Sequence, residues 1–399
     1  MVNLKELAES YRTPLVAFCQ RLIQTPSLPG EEGDVARLVN QEMENLGYDE
    51  VRVDEAGNVV GIIRGSGGGK TVMLNIHMDQ VPTGDPASWP FPPHSGQISD
   101  GAIWGRGASD GKGALAAMIC AGGVLKRAGL KTEGDVVVAG VVMEEVGGPG
   151  TRHLISWLRP DYAIIGEATS NGIALGHRGR LEIIVKIKGK AAHASVLPQK
   201  DWANPFYPLA RFINRLPELS LAEDPFLGPA AITPTRIISD QPGTNVIPGE
   251  IELVLDCREV PSEPADKVLA KLRPLLEASM TPGCSGTAEL KTLEFVTYTG
   301  KNERRSSAFS SFVIPSDHPL VKGAQEALRS AFGREVPLGR WNFATDGGCT
   351  MEAGIPTIGF APTEEAFCHT VEDRVSIDMM VEGVAGYAAL ALRLTEHQK

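Results

Sequence analysis

Apolar positions change their period several times along this chain, and each change marks a different kind of element. Leu4, Leu7, Tyr11, Leu15, Phe18 and Leu22 recur at helical spacing, so one helix is predicted from Leu4 to Ile23. Pro26, Pro29 and Gly30 stop it, and a second helix is predicted from Asp34 to Leu46. The pattern then tightens into short apolar runs. Val51–Val53, Val59–Ile63, Val72–Ile76, Val136–Val142 and Tyr162–Ile165 read as strands, with a turn at residues 65–69 and a helix over Gly113–Leu125. Nearly continuous apolar strands alternating with helices predict an α/β domain whose sheet is largely parallel and covered on both faces.

From about Arg180 the pattern alternates instead. Leu181–Ile187 reads as a strand with one polar face, followed by a helix over Asn204–Leu216, strands at Thr235–Ile238 and Ile251–Leu255, a helix at Ala265–Ala278 and a strand near Ala288–Leu290. The order β-α-β-β-α-β predicts a ferredoxin-like α+β unit of about a hundred residues. After about Gly300 helices return, with the apolar strand Pro356–Phe360 and a last helix over Asp378–Glu396. The expected organisation is an α/β domain of residues 1–179 and 293–399, with residues 180–292 inserted. A chain of 399 residues suits two domains.

Composition narrows the function classes. A hydrophobic content of 42% supports a real core, and a formal net charge of -11 argues against nucleic acid and anionic membranes as partners. The residues Met1–Arg12 carry Lys5, Glu6, Glu9 and Arg12, and no signal-peptide core is seen. The six cysteines are scattered without CxxC spacing, which leaves a reducing cytoplasm as the expected compartment.

In open α/β sheets ligands sit beyond the carboxyl ends of the strands. His77 and Asp79 follow Val72–Ile76, Glu144 and Glu145 follow Val136–Val142, and Glu167 follows Tyr162–Ile165. Asp110 lies among glycines just before a helix, and His369 follows Pro356–Phe360 through a short loop. Taken singly, each is an ordinary surface feature. Gathered on one edge, these acids would repel one another without cations. A set of imidazole and carboxylate without thiolate suits a hydrolytic zinc site, and a paired site would neutralise the acids. Of Glu144 and Glu145, one can ligate while the other stays free as a base.

Residues 76–81 (IHMDQV), 105–113 (GRGASDGKG), Glu144-Glu145 and 166–169 (GEAT) resemble the metallopeptidase family of aminoacylase, acetylornithine deacetylase, succinyl-diaminopimelate desuccinylase and carboxypeptidase G. The resemblance spans nearly the whole chain. It implies a two-metal exopeptidase-type catalytic domain with a ferredoxin-like lid or dimerisation domain. Asp110 would bridge two metals, His77 and Glu167 would complete one, and Glu145 and His369 the other. Zinc is the first expectation, with cobalt or manganese as alternatives. The resemblance further implies that Glu144 is the general base, that Asp79 orients His77, and that the Asp110–Gly111 peptide is cis. In the inserted unit, residues 191–195 (AAHAS) resemble the lid histidine motif, so His193 would polarise the scissile carbonyl, in dimeric members from the neighbouring subunit. Asn245 and Arg258 would hold a substrate carboxylate, and Thr345 and Gly348 would line the cleft.

The implied activity is hydrolysis of an amide in an N-acyl amino acid or small peptide bearing a carboxylate. The implied assembly is a homodimer through the lid, which would close by a hinge near residues 178–180 and 292–300. A dipeptidase or aminopeptidase of the same family is the nearest alternative. A non-catalytic binding protein with a retained enzyme fold is the alternative of another class, opposed by the presence of all five presumed ligands and Glu144. Two further features carry nothing: Gly69-Lys70-Thr71 lacks the first glycine of a phosphate loop, since residue 64 is Arg64, and Cys368 has no base to activate it.

Overall fold

The computed structural model describes residues 3–195 and 202–397. Its larger sheet has eight strands, running in spatial order 50–53, 59–63, 136–141, 72–77, 162–165, 357–359, 173–174 and 338–339. The strands 136–141, 72–77, 162–165 and 357–359 at its centre are mutually parallel, and antiparallel pairs flank them. The sheet is therefore mixed and mostly parallel, as expected.

Period-two packing explains the continuous apolar runs. Val59, Ile63, Val72, Leu74, Ile76, Val136 and Val138 face one core, which is filled from the helices Arg12–Gln24, Gly33–Asn45, Gly113–Arg127, Pro319–Phe332 and Ile377–Leu394. Val60, Ile62, Met73, Val137, Ala139 and Val141 face the other core, with Leu154 and Ile155 of the helix Pro149–Trp157 and Cys349 of the helix Gly347–Glu352. With both faces covered, nearly every strand position is apolar; an exception is Asn75, whose amide donates to Thr151 Oγ1 at 2.9 Å. Each buried Val, Leu or Ile side chain contributes about 1.5–3 kcal/mol through removal from water.

The smaller sheet has a spatial order of 231–239, 250–258, 180–188 and 285–290, all antiparallel. With the helices Phe206–Arg215 and Ala265–Ser279 the chain order is β-α-β-β-α-β, the ferredoxin-like arrangement. Here one face carries the core: Leu181, Ile183, Val185 and Ile187 pack with Leu209, Phe212, Leu272 and Leu276. A hairpin, Thr292–Val296 with Asn302–Ser306, leads from this sheet back toward the larger one.

Two expectations about elements change. The first helix is two, Leu4–Ser10 and Arg12–Gln24, meeting at Tyr11. Side-chain period alone does not register that break, because both halves point their apolar residues at the same core. The helices Pro149–Trp157 and Pro319–Phe332 were not resolved by pattern; each carries proline in its first turn, where the missing N–H costs nothing. Among the described residues no helix is long and apolar enough to cross a membrane.

Candidate active site

Strand register brings the first ligand candidates level. His77 ends its strand opposite Val141, and Asn75 lies opposite Ile165, so the loops carrying Glu144, Glu145 and Glu167 leave the sheet beside His77. Asp110 enters from the turn before the helix Gly113–Arg127, and the Asp110–Gly111 peptide is cis. His369, in the left-handed region at φ 60°, closes the group from the loop after Thr357–Gly359.

Two donor sets result, sharing one carboxylate. His77, Asp110 and Glu167 present ligand atoms within 4.8 Å of one another, and so do Asp110, Glu145 and His369. Nε2 of His77 lies 3.0 Å from Oδ1 of Asp110 and 3.5 Å from Glu167. Nε2 of His369 lies 3.0 Å from Oδ2 of Asp110 and 3.1 Å from Glu145. Each oxygen of Asp110 thus faces a different imidazole, as a bridging ligand must. The donors are nitrogen and carboxylate oxygen throughout, a set that fits divalent zinc, cobalt or manganese.

The electrostatics agree with a cation-binding cluster. Burial opposes protonation of His77, but its hydrogen bond to Asp110 and the charges of Glu167, Asp110 and Asp79 outweigh this and hold it well above the usual imidazole range. Hydrogen bonds to Asp110 and Glu145 push His369 up to about 10. Burial raises Glu144 well above the ordinary carboxylate range, with the negative charges of Glu167 and Asp346 adding to it. Burial likewise raises Glu167, with the negative charge of Asp110 adding to it. Carboxylates crowded this closely favour any positive charge placed among them, whether protons or metal ions.

Asp79 was expected to orient His77, and the residue does so mainly through its backbone. Nδ1–H of His77 donates to the Asp79 carbonyl at 2.9 Å, while the Asp79 carboxylate is 3.7 Å away. That carboxylate, fully buried, accepts the backbone N–H groups of Glu144 at 3.0 Å and Glu145 at 3.1 Å. Asp79 therefore ties the base candidate and one ligand candidate to the strand end carrying His77.

Three supports escaped sequence reasoning. Asp373 is buried and accepts the N–H groups of Gly107 at 2.7 Å and Ser109 at 2.8 Å, holding the turn that presents Asp110. Lys112 is buried beneath the same turn and donates to Gln80 Oε1 at 2.6 Å and the Thr25 carbonyl at 2.8 Å. Glu32 accepts the N–H of Met143 at 3.0 Å. Lys112 stands two residues after Asp110 in the segment 105–113, but nothing in the spacing of Asp373 or Glu32 ties them to the site; the loops' paths bring them there.

A cavity of about 500 Å³ is lined by donor candidates Asp110, Glu145, Glu167 and His369 together with Phe309, Phe343, Arg180 and Arg258. Arg258 donates Nε and Nη2 to Asp256 at 2.7 and 3.3 Å, and Arg180 donates Nε to the same carboxylate at 3.3 Å. One carboxylate thus holds two guanidinium-bearing residues that line the same cavity as the acidic cluster. Arg180 was not singled out by sequence, although its place at the start of an alternating strand was visible. Cys368 also lines the cavity, with its thiol pushed up by burial and donating weakly to the Glu364 carbonyl at 3.6 Å.

Other candidates lie elsewhere. His193 and Asn245 are exposed on the ribbon of Ala192–His193 with Val246–Ile247, and neither lines the cavity in this structure. Thr345 and Gly348 are buried. The N–H of Thr345 donates to His177 Nε2 at 3.1 Å, and Gly348 packs under the Ser310 carbonyl, leaving Phe343 and Ala344 to face the cavity.

A sequence profile described as peptidase family M20/M25/M40 matches residues 73–393. The uncharacterized protein YgeY of Escherichia coli (strain K12) is 30% identical over 393 residues, covering 97% of this chain and 96% of that protein. The succinyl-diaminopimelate desuccinylase of Paracoccus denitrificans is 33% identical over 251 residues, covering 60% of this chain and 65% of that protein. Among solved structures, the YXEP protein of Bacillus subtilis, described as a dinuclear metal binding peptidase, superposes with a TM-score of 0.73 at 16% identity, covering 97% of this chain and 99% of that one.

Proposed function

This chain belongs to peptidase family M20/M25/M40 and is a metal-dependent hydrolase, and we propose that it cleaves the amide bond of an N-acyl amino acid or small peptide bearing a carboxylate. The observation that carries this reading is the pair of donor sets sharing Asp110, with buried Glu144 beside them and two guanidinium groups across the cavity.

His77, Asp110 and Glu167 would hold one divalent ion, and Asp110, Glu145 and His369 the other, with zinc the first choice and cobalt or manganese the alternatives. Bound there, the ions would neutralise the carboxylates, acidify water between them and polarise the substrate carbonyl. Glu144 takes the proton of the attacking water and returns it to the leaving amine nitrogen. Its backbone N–H is held by Asp79, which keeps the carboxylate aimed into the cavity. Arg258, with its planar fork already set by Asp256, orients the substrate carboxylate. The ferredoxin-like unit of residues 180–292 acts as a lid. Its closure brings His193 and Asn245 toward the scissile bond, within one chain or across a homodimer.

A free-amine substrate, as in a dipeptidase or aminopeptidase, is favoured by one observation. Glu365 lines the cavity as a carboxylate outside both donor sets. The deciding experiment is a panel of N-acyl amino acids and dipeptides, run on chelated enzyme restored with zinc, cobalt or manganese. Glu144→Gln should retain two metals per chain and lose turnover by at least about a hundredfold. Turnover within tenfold of wild type would end the assignment of Glu144 as base.

A further inference from the structure

The hairpin that joins the two sheets carries a buried cation without a matched partner. Among the described residues, Nε, Nη1 and Nη2 of Arg305 are all shielded from solvent and none has a hydrogen-bond partner. A guanidinium has five donors and cannot neutralise itself, so such a group calls for a nearby negative charge. Asp346 supplies one. Its Oδ1 is also buried and without a partner, while Oδ2 accepts from Thr151 Oγ1 at 2.5 Å.

The two groups approach one turn. A Cβ on Gly147 would sit 2.7 Å from Nη2 of Arg305, and a Cβ on Gly148 would collide with Oδ1 of Asp346. These adjacent glycines, both at positive φ, thus touch the guanidinium at one residue and the carboxylate at the next, and neither could carry a side chain. The turn follows directly from the base: Gly147 N–H donates to the Glu144 carbonyl and Gly148 N–H to the Met143 carbonyl, each at 2.9 Å. On the far side, Thr151 accepts from Asn75 Nδ2 at 2.9 Å, two residues before His77 on the same strand. Arg305 is itself held from the hairpin, where its guanidinium lies 5.7 Å from the Phe295 ring. The hairpin is anchored to the main body by Tyr298 donating to the Gly57 carbonyl at 2.9 Å and Thr299 to the Glu55 carbonyl at 2.7 Å.

We propose that Arg305 is a positioning residue for Glu144, acting as the ionic partner of Asp346 across the Gly147–Gly148 turn. Both groups are buried, so the attraction between them across the turn is little screened by salt, although no direct hydrogen bond joins them. Because the hairpin continues from the smaller sheet, the clamp also ties the placement of that sheet to the loop carrying the base. The proposal rests on the reading of Glu144 as base.

The test is steady-state kinetics of Arg305→Met, Arg305→Lys, Asp346→Asn and the Met/Asn double variant, with metal content measured on each. Arg305→Met and Asp346→Asn should each lower kcat about 10–100-fold, with KM within about threefold and two metals retained. Arg305→Lys should recover part of that loss, and the double variant should be no worse than about threefold below the poorer single. A kcat for folded Arg305→Met within about twofold of wild type, or losses that multiply in the double, would overturn the clamp. If Arg305→Met does not fold, wild-type kcat in both Arg305→Lys and Asp346→Asn does the same, and a kcat reduced in Asp346→Asn supports it. Inactive Glu144→Gln alongside fully active Arg305→Met would remove only the clamp, whereas active Glu144→Gln would remove the base reading itself.

Discussion

Asp79→Asn separates two roles for a residue that touches both the proposed ligand His77 and the loop of the proposed base Glu144. If its carboxylate orients His77, the substitution should weaken the first metal. If its carboxylate instead positions the base loop, metal should stay and turnover should fall. The distances favour the second: 3.0 and 3.1 Å to the amides of Glu144 and Glu145, against 3.7 Å to Nδ1 of His77, which already has the Asp79 carbonyl at 2.9 Å. Asparagine keeps the size but turns one acceptor oxygen into an NH₂ facing a backbone N–H. One charge-assisted hydrogen bond is lost, about 1.5–3 kcal/mol, and one buried N–H is left unpaired. That loss falling in full on the base-loop geometry lowers kcat about 10–100-fold, since about 1.36 kcal/mol is tenfold. The assay pairs kcat and KM with a metal titration at each site. A fall in metal affinity of more than tenfold with kcat preserved in saturating metal would refute this reasoning.

Other outcomes follow from the same geometry. Asp373→Asn should weaken metal binding about 10–100-fold, because the turn presenting Asp110 hangs on its carboxylate; unchanged affinity by calorimetric titration would count against it. Arg258→Met should raise KM about 10–100-fold for a carboxylate substrate, with kcat little changed. The same variant should leave KM for the carboxamide analogue near wild type, and equal effects on both would remove the anchor role. His177 is buried, donating Nδ1–H to the Arg178 carbonyl and accepting from Thr345, and burial pushes it down to about 4. Its unfolded-state value near 6.5 is higher, so the unfolded chain binds the extra proton between the two. The stability of the neutral, paired form is thus complete above about pH 6.5 and is lost as pH falls toward 4, by up to about 3 kcal/mol. His177→Gln should flatten the dependence of melting temperature on pH over that window, and an unchanged slope would exclude His177 as its source.

Much of this architecture is local enough to be written in periodicity. Val136 and Val138 against Val137, Ala139 and Val141 divide between two cores, and only a doubly covered strand leaves so unbroken an apolar run. Alternation over Leu181–Ile187 similarly announces a sheet with one buried face. Since ligands gather where parallel strands end, His77, Glu144, Glu145 and Glu167 were also legible as neighbours. What the linear pattern does not carry is how loops turn after those strands. Register and loop path alone gave each oxygen of Asp110 its own imidazole, aimed the Asp79 carboxylate at the base loop, and buried Thr345 and Gly348 away from the cavity. The same paths bring Arg305 to Gly147 and Asp346, 41 positions further along, to the adjacent Gly148. Periodicity specifies which face of an element is apolar, whereas a polar contact depends on directions and distances of a few ångströms that only the folded chain sets.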